Sequence, residues 1–149
     1  MNLAIAKKKG QIIMPIDFKS INLEVIDLNT NASPDMYINN NGISFTRRVL
    51  EEMNYPQNVQ YCLDAAQKIF AVRVCKGNDA KATPFSKPKS EQTATLSCGI
   101  KNLREVIITL IPNFTAKNRY KVTGEYDSEN RIMYFDMATA EVCNLRKGE

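Results

Sequence analysis

The chain has 149 residues, of which 44% are apolar and 24% charged, and twenty Lys and Arg against sixteen Asp and Glu give a net charge of +4. This is the size of one soluble domain that buries a core without a disulfide framework. No stretch approaches the roughly 20 apolar residues of a membrane span, and residues 1–16 lack the uninterrupted apolar segment of a signal peptide. We therefore expect a cytoplasmic protein with no membrane partner.

The sequence contains no histidine, which removes a long list of reaction mechanisms. Ser-His-Asp and Cys-His nucleophile activation and the histidine-bearing zinc sites all need an imidazole ring. No CxxC pair occurs among the four cysteines, which favours reduced thiols, although the fold could still assemble a four-cysteine zinc site. Phosphate-binding loops of the GxxxxGK[ST] and GxGxxG types are also absent. We expect no enzymatic activity, no cofactor, no resident metal and no small-molecule substrate.

Two polar stretches divide the chain. Residues 29–42 are rich in Asn and end in Gly, which predicts a connector made of turns. Residues 76–93 hold two prolines and four lysines and predict a mobile linker. The expected organisation is an N-terminal arm and connector over 1–41, a first unit over 42–75, a linker over 76–93, a second unit over 94–143 and a tail over 144–149.

The first unit predicts a strand, a helix and a β-hairpin in that order. Residues 43–45 alternate as a short strand, and Thr46 is a candidate N-cap for a helix that runs to about Asn54, a residue suited to the left-handed end of a helix. Two β-rich runs, at 59–63 and 69–74, flank a polar turn and form the hairpin signal.

The second unit repeats this order. Residues 96–98 predict the strand, and apolar spacing over 100–111 favours a helix, although the β-branched run at 106–111 would also suit a strand. The runs at 120–126 and 132–135 predict a second hairpin. The hairpins align at a constant offset of 63 residues and the leading strands at 53, which indicates a duplication. We therefore expect the α+β class, with two related strand-helix-β-hairpin units packed as a pseudo-twofold β barrel or sandwich with short helices.

A strand, a short helix and a hairpin, present twice, resembles the AbrB-like swapped-hairpin domain, and the tandem arrangement resembles MraZ-type regulators. Residues 41–50 follow the order of that family's unit, with Asn41 where the family has Gly and Thr46 where it has Pro. The pattern Gly-x-apolar-x-apolar-Pro itself occurs at residues 10–15. Residues 42–140 also resemble an uncharacterised family of small proteins from Gram-positive bacteria, through the strand at 43–45 and the Gly-Glu-Tyr run at 124–126.

The swapped-hairpin resemblance implies a non-enzymatic protein that binds double-stranded DNA, a possible transcriptional regulator, and we also expect a homodimer. Arg47 and Arg48 stand at a helix start, where the dipole disfavours cations, and this indicates an external anion or, alternatively, ion pairs with acidic residues one turn later. Lys101 and Arg104 occupy the corresponding place in the second unit. The candidate nucleic-acid-binding residues are Lys7, Lys8, Lys9, Arg47, Arg48, Lys101 and Arg104.

Other patterns leave alternatives open. The run Lys117, Arg119 and Lys121 is the densest basic patch outside the tails, although alternate residues on a strand usually mark its solvent face. Asp64 and Asp127 are more typical of hairpin turns than of a catalytic carboxylate pair. A protein-protein interaction or assembly module that adds a partner strand to an open sheet edge, with no nucleic-acid binding, is the main alternative function.

Overall fold

The structure is a computed structural model that describes residues 15–26, 32–92 and 95–144. The chain divides into two compact units, residues 1–30, which we call the N-terminal unit, and residues 31–149, which we call the sheet unit. In the described part of the N-terminal unit, Phe18–Ser20 form one turn of 3-10 helix, and the carboxylate of Asp17 accepts a hydrogen bond from the backbone amide of Lys19. Residues 15–26 are exposed along their whole length.

The sheet unit is built around one antiparallel sheet. Its described strands pair in the order β5-β3-β4-β8-β7-β1-β2-β6, and β9 adds to β7. The strands are β1 (Asp35–Asn39), β2 (Gly42–Phe45), β3 (Asn58–Asp64), β4 (Ile69–Cys75), β5 (Thr83–Pro84), β6 (Leu96–Cys98), β7 (Tyr120–Asp127), β8 (Ile132–Asp136) and β9 (Glu141–Val142), and the helices are α1 (Arg47–Glu52), α2 (Lys101–Ile108) and a 3-10 turn at Met137–Thr139.

The expected α+β class is wrong, because antiparallel strands dominate the unit and curl into a half-barrel. In the described residues the two α-helices have only six and eight residues. Strand β1 arises inside the Asn-rich stretch that the composition predicts to be a connector, since Tyr37 and Ile38 are good strand formers. Residues 109–119, between α2 and β7, form turns and irregular backbone and add no helix. A barrel remains a fitting description of the curled sheet.

Both hairpins form where the sequence predicts them, as β3–β4 and β7–β8. Residues 101–108 are helical, so the β-branched run is helix as far as Ile108. Thr46 precedes α1, but its hydroxyl donates to the Ser33 carbonyl oxygen and accepts from the Asp35 amide, so it ties the helix start to β1 instead of capping the helix. Asn54 has a left-handed φ of 61°, as expected after α1.

Two of the strand ladders are unchanged when the two halves of the sheet unit are exchanged. In the β2–β6 ladder Ile43 pairs with Cys98 and Phe45 with Leu96, and the offset of 53 residues maps this ladder onto itself. In the β4–β8 ladder Ile69 pairs with Asp136, and the offset of 63 maps that pair onto Ile132 with Arg73, which are also paired. Because β2 and β6 run in opposite directions, α1 and α2 begin at opposite ends of their ladder.

Side chains from both halves fill one core. The ring centroids of Phe45 and Phe135 lie 6.0 Å apart, those of Phe70 and Phe135 6.1 Å apart, and those of Phe45 and Phe85 5.4 Å apart, so β2, β4, β8 and the residue after β5 meet in one aromatic cluster. Phe45, Phe70 and Phe135 are each no more than 1% exposed. Among the residues described, no helix combines the length and the hydropathy needed to cross a membrane.

Candidate nucleic-acid interface

Two arginines from distant parts of the sequence converge on one residue, Asn39, at the end of β1. Arg104 of α2 donates its Nε hydrogen to the backbone oxygen of Asn39 at 2.7 Å. Arg119, which immediately precedes β7, donates its Nε hydrogen to Asn39 Oδ1 at 2.6 Å. They meet because β1 pairs with β7 on one side and with β2 on the other, and α2 packs on β2. We call Asn39, Arg104 and Arg119 the arginine cluster.

Aromatic rings support both guanidinium groups of the arginine cluster. The central carbon of the Arg119 guanidinium lies 4.1 Å from the centroid of the Tyr37 ring. That of Arg104 lies 5.9 Å from the Phe114 ring, which in turn packs against Tyr120 at a centroid distance of 5.4 Å. Arginine stacks on a ring face through its plane and keeps its N–H donors at the edge. The rings therefore orient both guanidinium groups without using their hydrogen bonds.

The arginine cluster carries two positive charges with no acidic partner in the described residues. The ion pairs found there join Arg47 and Arg48 to glutamates of α1, and Lys121 to Glu141 at 3.8 Å. Arg104 and Arg119 are half-buried, and each uses Nε on Asn39, while Arg119 Nη1 also lies 3.9 Å from Cys143 Sγ. Guanidinium groups carry five N–H donors each, so donors remain on both residues for an oxyanion such as a phosphate.

Arg47 and Arg48 pair with glutamates on their own helix. Arg47 Nε lies 3.0 Å from Glu51 Oε2, and Arg48 Nε lies 2.9 Å from Glu52 Oε2, both at the i,i+4 spacing. This is the alternative that the sequence leaves open for the two residues. Because two arginines and two glutamates pair with one another within α1, this helix presents little net charge to a ligand.

The structure does not bring the predicted cations onto one surface. Lys101 is exposed at the first position of α2, one turn before Arg104, and so lies near the arginine cluster. Arg47 and Arg48 follow the far end of β2, whose first residue pairs with Asn39. The two groups of cations therefore lie at opposite ends of the β2–β6 ladder. Lys7, Lys8 and Lys9 lie outside the described residues.

Two members of the arginine cluster are missing from the set of residues predicted to bind nucleic acid. The sequence marks Arg119 as part of a basic run but favours a solvent-exposed strand face, and it places Asn39 in a connector. No local pattern identifies either residue, because their meeting depends on the β1–β7 ladder, which joins residues more than eighty positions apart. The run of Asn after β1 is the one local signal, since Asn supplies both turn geometry and a neutral acceptor.

The acidic candidates serve as turn caps. Asp64 accepts hydrogen bonds from the backbone and side chain of Gln67. Asp127 does the same with Asn130, and the hydrogen bond from the Asn130 side chain is the main reason that the pKa of Asp127 lies below its usual value. The turn interpretation is therefore confirmed. The described residues contain no group of three or more potential ligand side chains placed to hold a metal ion.

A cleft of about 670 Å³ lies beside α1, at the other end of the β2–β6 ladder from the arginine cluster. Lys87 and Lys89 line it together with Glu51, whose carboxylate is already engaged by the arginines of α1. The cleft thus offers two lysines but no guanidinium that is free of an acidic partner, so it is a weaker oxyanion site than the arginine cluster.

Comparison of the chain with protein-family models, with curated proteins and with solved structures finds no match. The resemblance to the swapped-hairpin family therefore stays a prediction that rests on the order of elements and on residues 41–50.

Proposed function

We propose that the protein binds double-stranded DNA, without enzymatic activity, through the end of the sheet that carries the arginine cluster. The observation that carries this proposal is the convergence of Arg104 and Arg119 on Asn39 with no carboxylate in salt-bridge range among the described residues. A regulator of transcription in the cytoplasm is the role that the swapped-hairpin resemblance suggests. The four free cysteines of the chain suit a reducing compartment.

Phosphate binding is the chemistry that this arrangement favours. Arginine forks match the geometry of phosphate oxygens, and their hydrogen bonds are strengthened by charge. Lys101 is exposed one helical turn before Arg104, and Lys117 is exposed two residues before Arg119. Both lysines can therefore add contacts along a phosphate backbone. Such contacts give affinity and depend strongly on salt, whereas sequence selectivity would require base contacts.

The proposal is tested by fluorescence anisotropy with a labelled random-sequence duplex of about 25 base pairs, titrated at several salt concentrations. Each phosphate contact contributes about −0.9 to the slope of log K against log salt, so about four contacts give a slope near −3.6. We expect binding at low salt with a slope of this order. Absence of binding at about 25 mM salt would overturn the proposal.

A matched pair of double variants locates the contact. Arg104→Ala with Arg119→Ala removes two charges that lack acidic partners, and we expect at least a tenfold loss of affinity and a slope about 2 units shallower. Arg47→Ala with Arg48→Ala removes the same formal charge from α1, and we expect less than a twofold change. Thermal unfolding by circular dichroism checks that both variants fold. Equal losses from both pairs would show a diffuse charge effect and contradict the assignment to the arginine cluster.

A further inference from the structure

The cleft beside α1 lies between two segments of the chain that are hydrogen-bonded to each other. The backbone amide of Phe85 donates to the Gln57 oxygen at 2.8 Å. The Pro56 oxygen accepts from the Ser86 amide at 3.0 Å and from the Ser86 hydroxyl at 2.6 Å. Ser86 is only 6% exposed, and Phe85 packs against Phe45 in the aromatic cluster. Both walls of the cleft are therefore anchored on the core, and the cleft is pre-formed.

The wall that follows α1 has an uncommon backbone conformation. Asn54 and Tyr55 have φ angles of 61° and 50°. Asn adopts the left-handed region readily, but a bulky side chain such as Tyr rarely does. The Tyr55 amide donates to the Leu50 oxygen at 2.9 Å, and the Tyr55 side chain both packs against the core and lines the cleft. Strained residues persist where the surrounding structure imposes them, and they cluster where ligands bind.

Two lysines give the cleft its positive charge. Lys87 and Lys89 line it, and neither has a carboxylate in ion-pair range within the described part of the chain. Glu51 also lines the cleft, but Arg47 Nε lies 3.0 Å from its carboxylate. Glu91 is close in sequence but does not line the cleft. The charges at the walls therefore favour an anionic ligand.

The cleft also offers polar groups that suit a flat heterocycle. The side-chain amides of Asn54 and Gln57 and the hydroxyl of Tyr55 line it, and none of the three has a hydrogen-bond partner within residues 15–26, 32–92 and 95–144. A side-chain amide donates and accepts at once, which matches the edge of a nucleobase such as adenine. The face of a tyrosine ring is a surface on which any base can stack.

The size of the cleft requires a ligand with a body as well as a charge. Its volume of about 670 Å³ falls in the roughly 300–1,000 Å³ range of small-molecule pockets and is far larger than a bare phosphate needs. The sequence lacks the glycine-rich loops that hold phosphates through backbone amides. Phosphates in this cleft would therefore bind to the lysine side chains, which act as flexible point charges.

We propose that the cleft binds a nucleotide, with its phosphates on Lys87 and Lys89, its base stacked on Tyr55 and the edge of the base hydrogen-bonded to Gln57. The nucleotide is a bound ligand, and no bond in it is made or broken. The cleft and the arginine cluster lie at opposite ends of the β2–β6 ladder, so the proposal goes beyond DNA binding and does not depend on it.

Isothermal titration calorimetry of the full chain tests the ligand class. The probes are ATP, adenosine and inorganic tripolyphosphate, all without Mg²⁺ so that the phosphates keep their full charge. We expect ATP to bind at least tenfold more tightly than either of the others, because only ATP uses both the lysines and the base-binding groups. A 5′-phosphorylated trinucleotide offers the same chemistry at the end of a strand, and the tighter of the two nucleotides identifies the source.

A matched pair of double variants locates the phosphates. Lys87→Ala with Lys89→Ala removes both charges from the cleft, and we expect ATP affinity to fall about tenfold. Lys19→Ala with Lys76→Ala removes the same formal charge from exposed positions that do not line the cleft, and we expect less than a twofold change. Thermal unfolding by circular dichroism checks that both variants fold.

Gln57→Ala separates recognition of the base from attraction of charge. The backbone oxygen of Gln57, and not its side chain, holds Phe85, so the substitution leaves the wall of the cleft in place. We expect ATP affinity to fall about threefold, because the base loses a hydrogen-bond partner. Affinity for tripolyphosphate should not change, since the lysines are untouched.

Four outcomes would overturn the proposal. The first is the absence of ATP binding, and the second is ATP binding no tighter than that of tripolyphosphate, which would show attraction of charge alone. Equal losses from the two lysine pairs would show a diffuse charge effect. Loss of ATP binding on Arg104→Ala with Arg119→Ala, together with full binding by the Lys87 and Lys89 double variant, would place the nucleotide at the arginine cluster.

Discussion

Asn39 holds the arginine cluster together through three polar groups. Its backbone oxygen accepts from Arg104, its Oδ1 accepts from Arg119, and its Nδ2 lies 3.4 Å from the Ser44 hydroxyl as a donor. A neutral amide oxygen positions a guanidinium without cancelling its charge, whereas a carboxylate in the same place would form an ion pair. The side chain at position 39 therefore controls how much positive charge this surface presents.

Asn39→Asp changes that charge with little change in shape. We expect duplex affinity at low salt to fall about tenfold, because the new carboxylate pairs with Arg119 and competes with phosphate. The midpoint of thermal unfolding should not fall, since the new ion pair replaces a hydrogen bond that already exists. Anisotropy and circular dichroism measure the two quantities.

The control for this substitution is Asn40→Asp, which adds the same charge at an exposed position of the same turn. Its expected effect is under threefold, because it lacks the direct contact with Arg119. If the two variants lose affinity equally, the contact between Asn39 and Arg119 plays no part in binding.

The two hairpins fill the same core, but at one pair of equivalent positions their large side chains come from different strands. In the β3–β4 hairpin Tyr61 pairs with Val72, and at the equivalent positions of the β7–β8 hairpin Gly124 pairs with Phe135. The large side chain lies on the first strand in one hairpin and on the second strand in the other. The Phe135 ring occupies the space beside Gly124, where a Cβ atom would come within 2.7 Å of Phe135 Cε1 and 2.9 Å of Met133 Sδ.

Gly124→Ala is therefore expected to destabilise the protein, although Ala generally loses less entropy than Gly when a strand forms. Displacing two fully buried side chains costs about 1–3 kcal/mol, which urea unfolding measures directly. Gly99→Ala is the matched control, because a Cβ there has no neighbour within 4 Å, and its effect should stay within about 0.5 kcal/mol. A neutral Gly124→Ala would show that the Phe135 ring does not need this space.

Sequence patterns predict those elements that depend on residues close to one another along the chain. Both hairpins, the left-handed Asn54 and the helix over residues 101–108 follow from alternation, turn residues and apolar spacing within a few positions. The sequence does not predict strand β1 or the two-residue strand β5, because their residues lie among Asn, Ser and Pro and form strands only by pairing with neighbouring strands of the sheet. The α+β assignment is wrong for the same reason, since it overlooks these strands and the pairing that unites all of them in one sheet.

The candidate site shows the same limit. The sequence identifies Lys101 and Arg104 from their place at a helix start, and the structure places Arg104 in the arginine cluster. The acidic partners of Arg47 and Arg48 are visible in the sequence as an alternative at the i,i+4 spacing. The contribution of Arg119 is not visible, because no rule of spacing relates it to Asn39, eighty positions earlier.

At the scale of the whole sheet unit, exchange of the two halves preserves the β2–β6 and β4–β8 ladders but not the distribution of charge. The offset of 53 residues that relates the leading strands places Arg104 opposite Glu51, which pairs with both arginines of α1. One end of the β2–β6 ladder is therefore neutralised within its own helix, while the other carries two arginines without acidic partners in the described residues. The small net charge of +4 thus conceals a local concentration of positive charge.

The most direct test of DNA binding at this end is an NMR titration that follows the arginine Nε–Hε signals while a random-sequence duplex is added. We predict that the signals of Arg104 and Arg119 shift or broaden first and recover on addition of salt, because both Nε groups are fixed on Asn39 beside the proposed phosphate contact. The signals of Arg47 and Arg48 should move little. Unchanged signals for Arg104 and Arg119 alongside shifts at Arg47 and Arg48 would contradict this assignment.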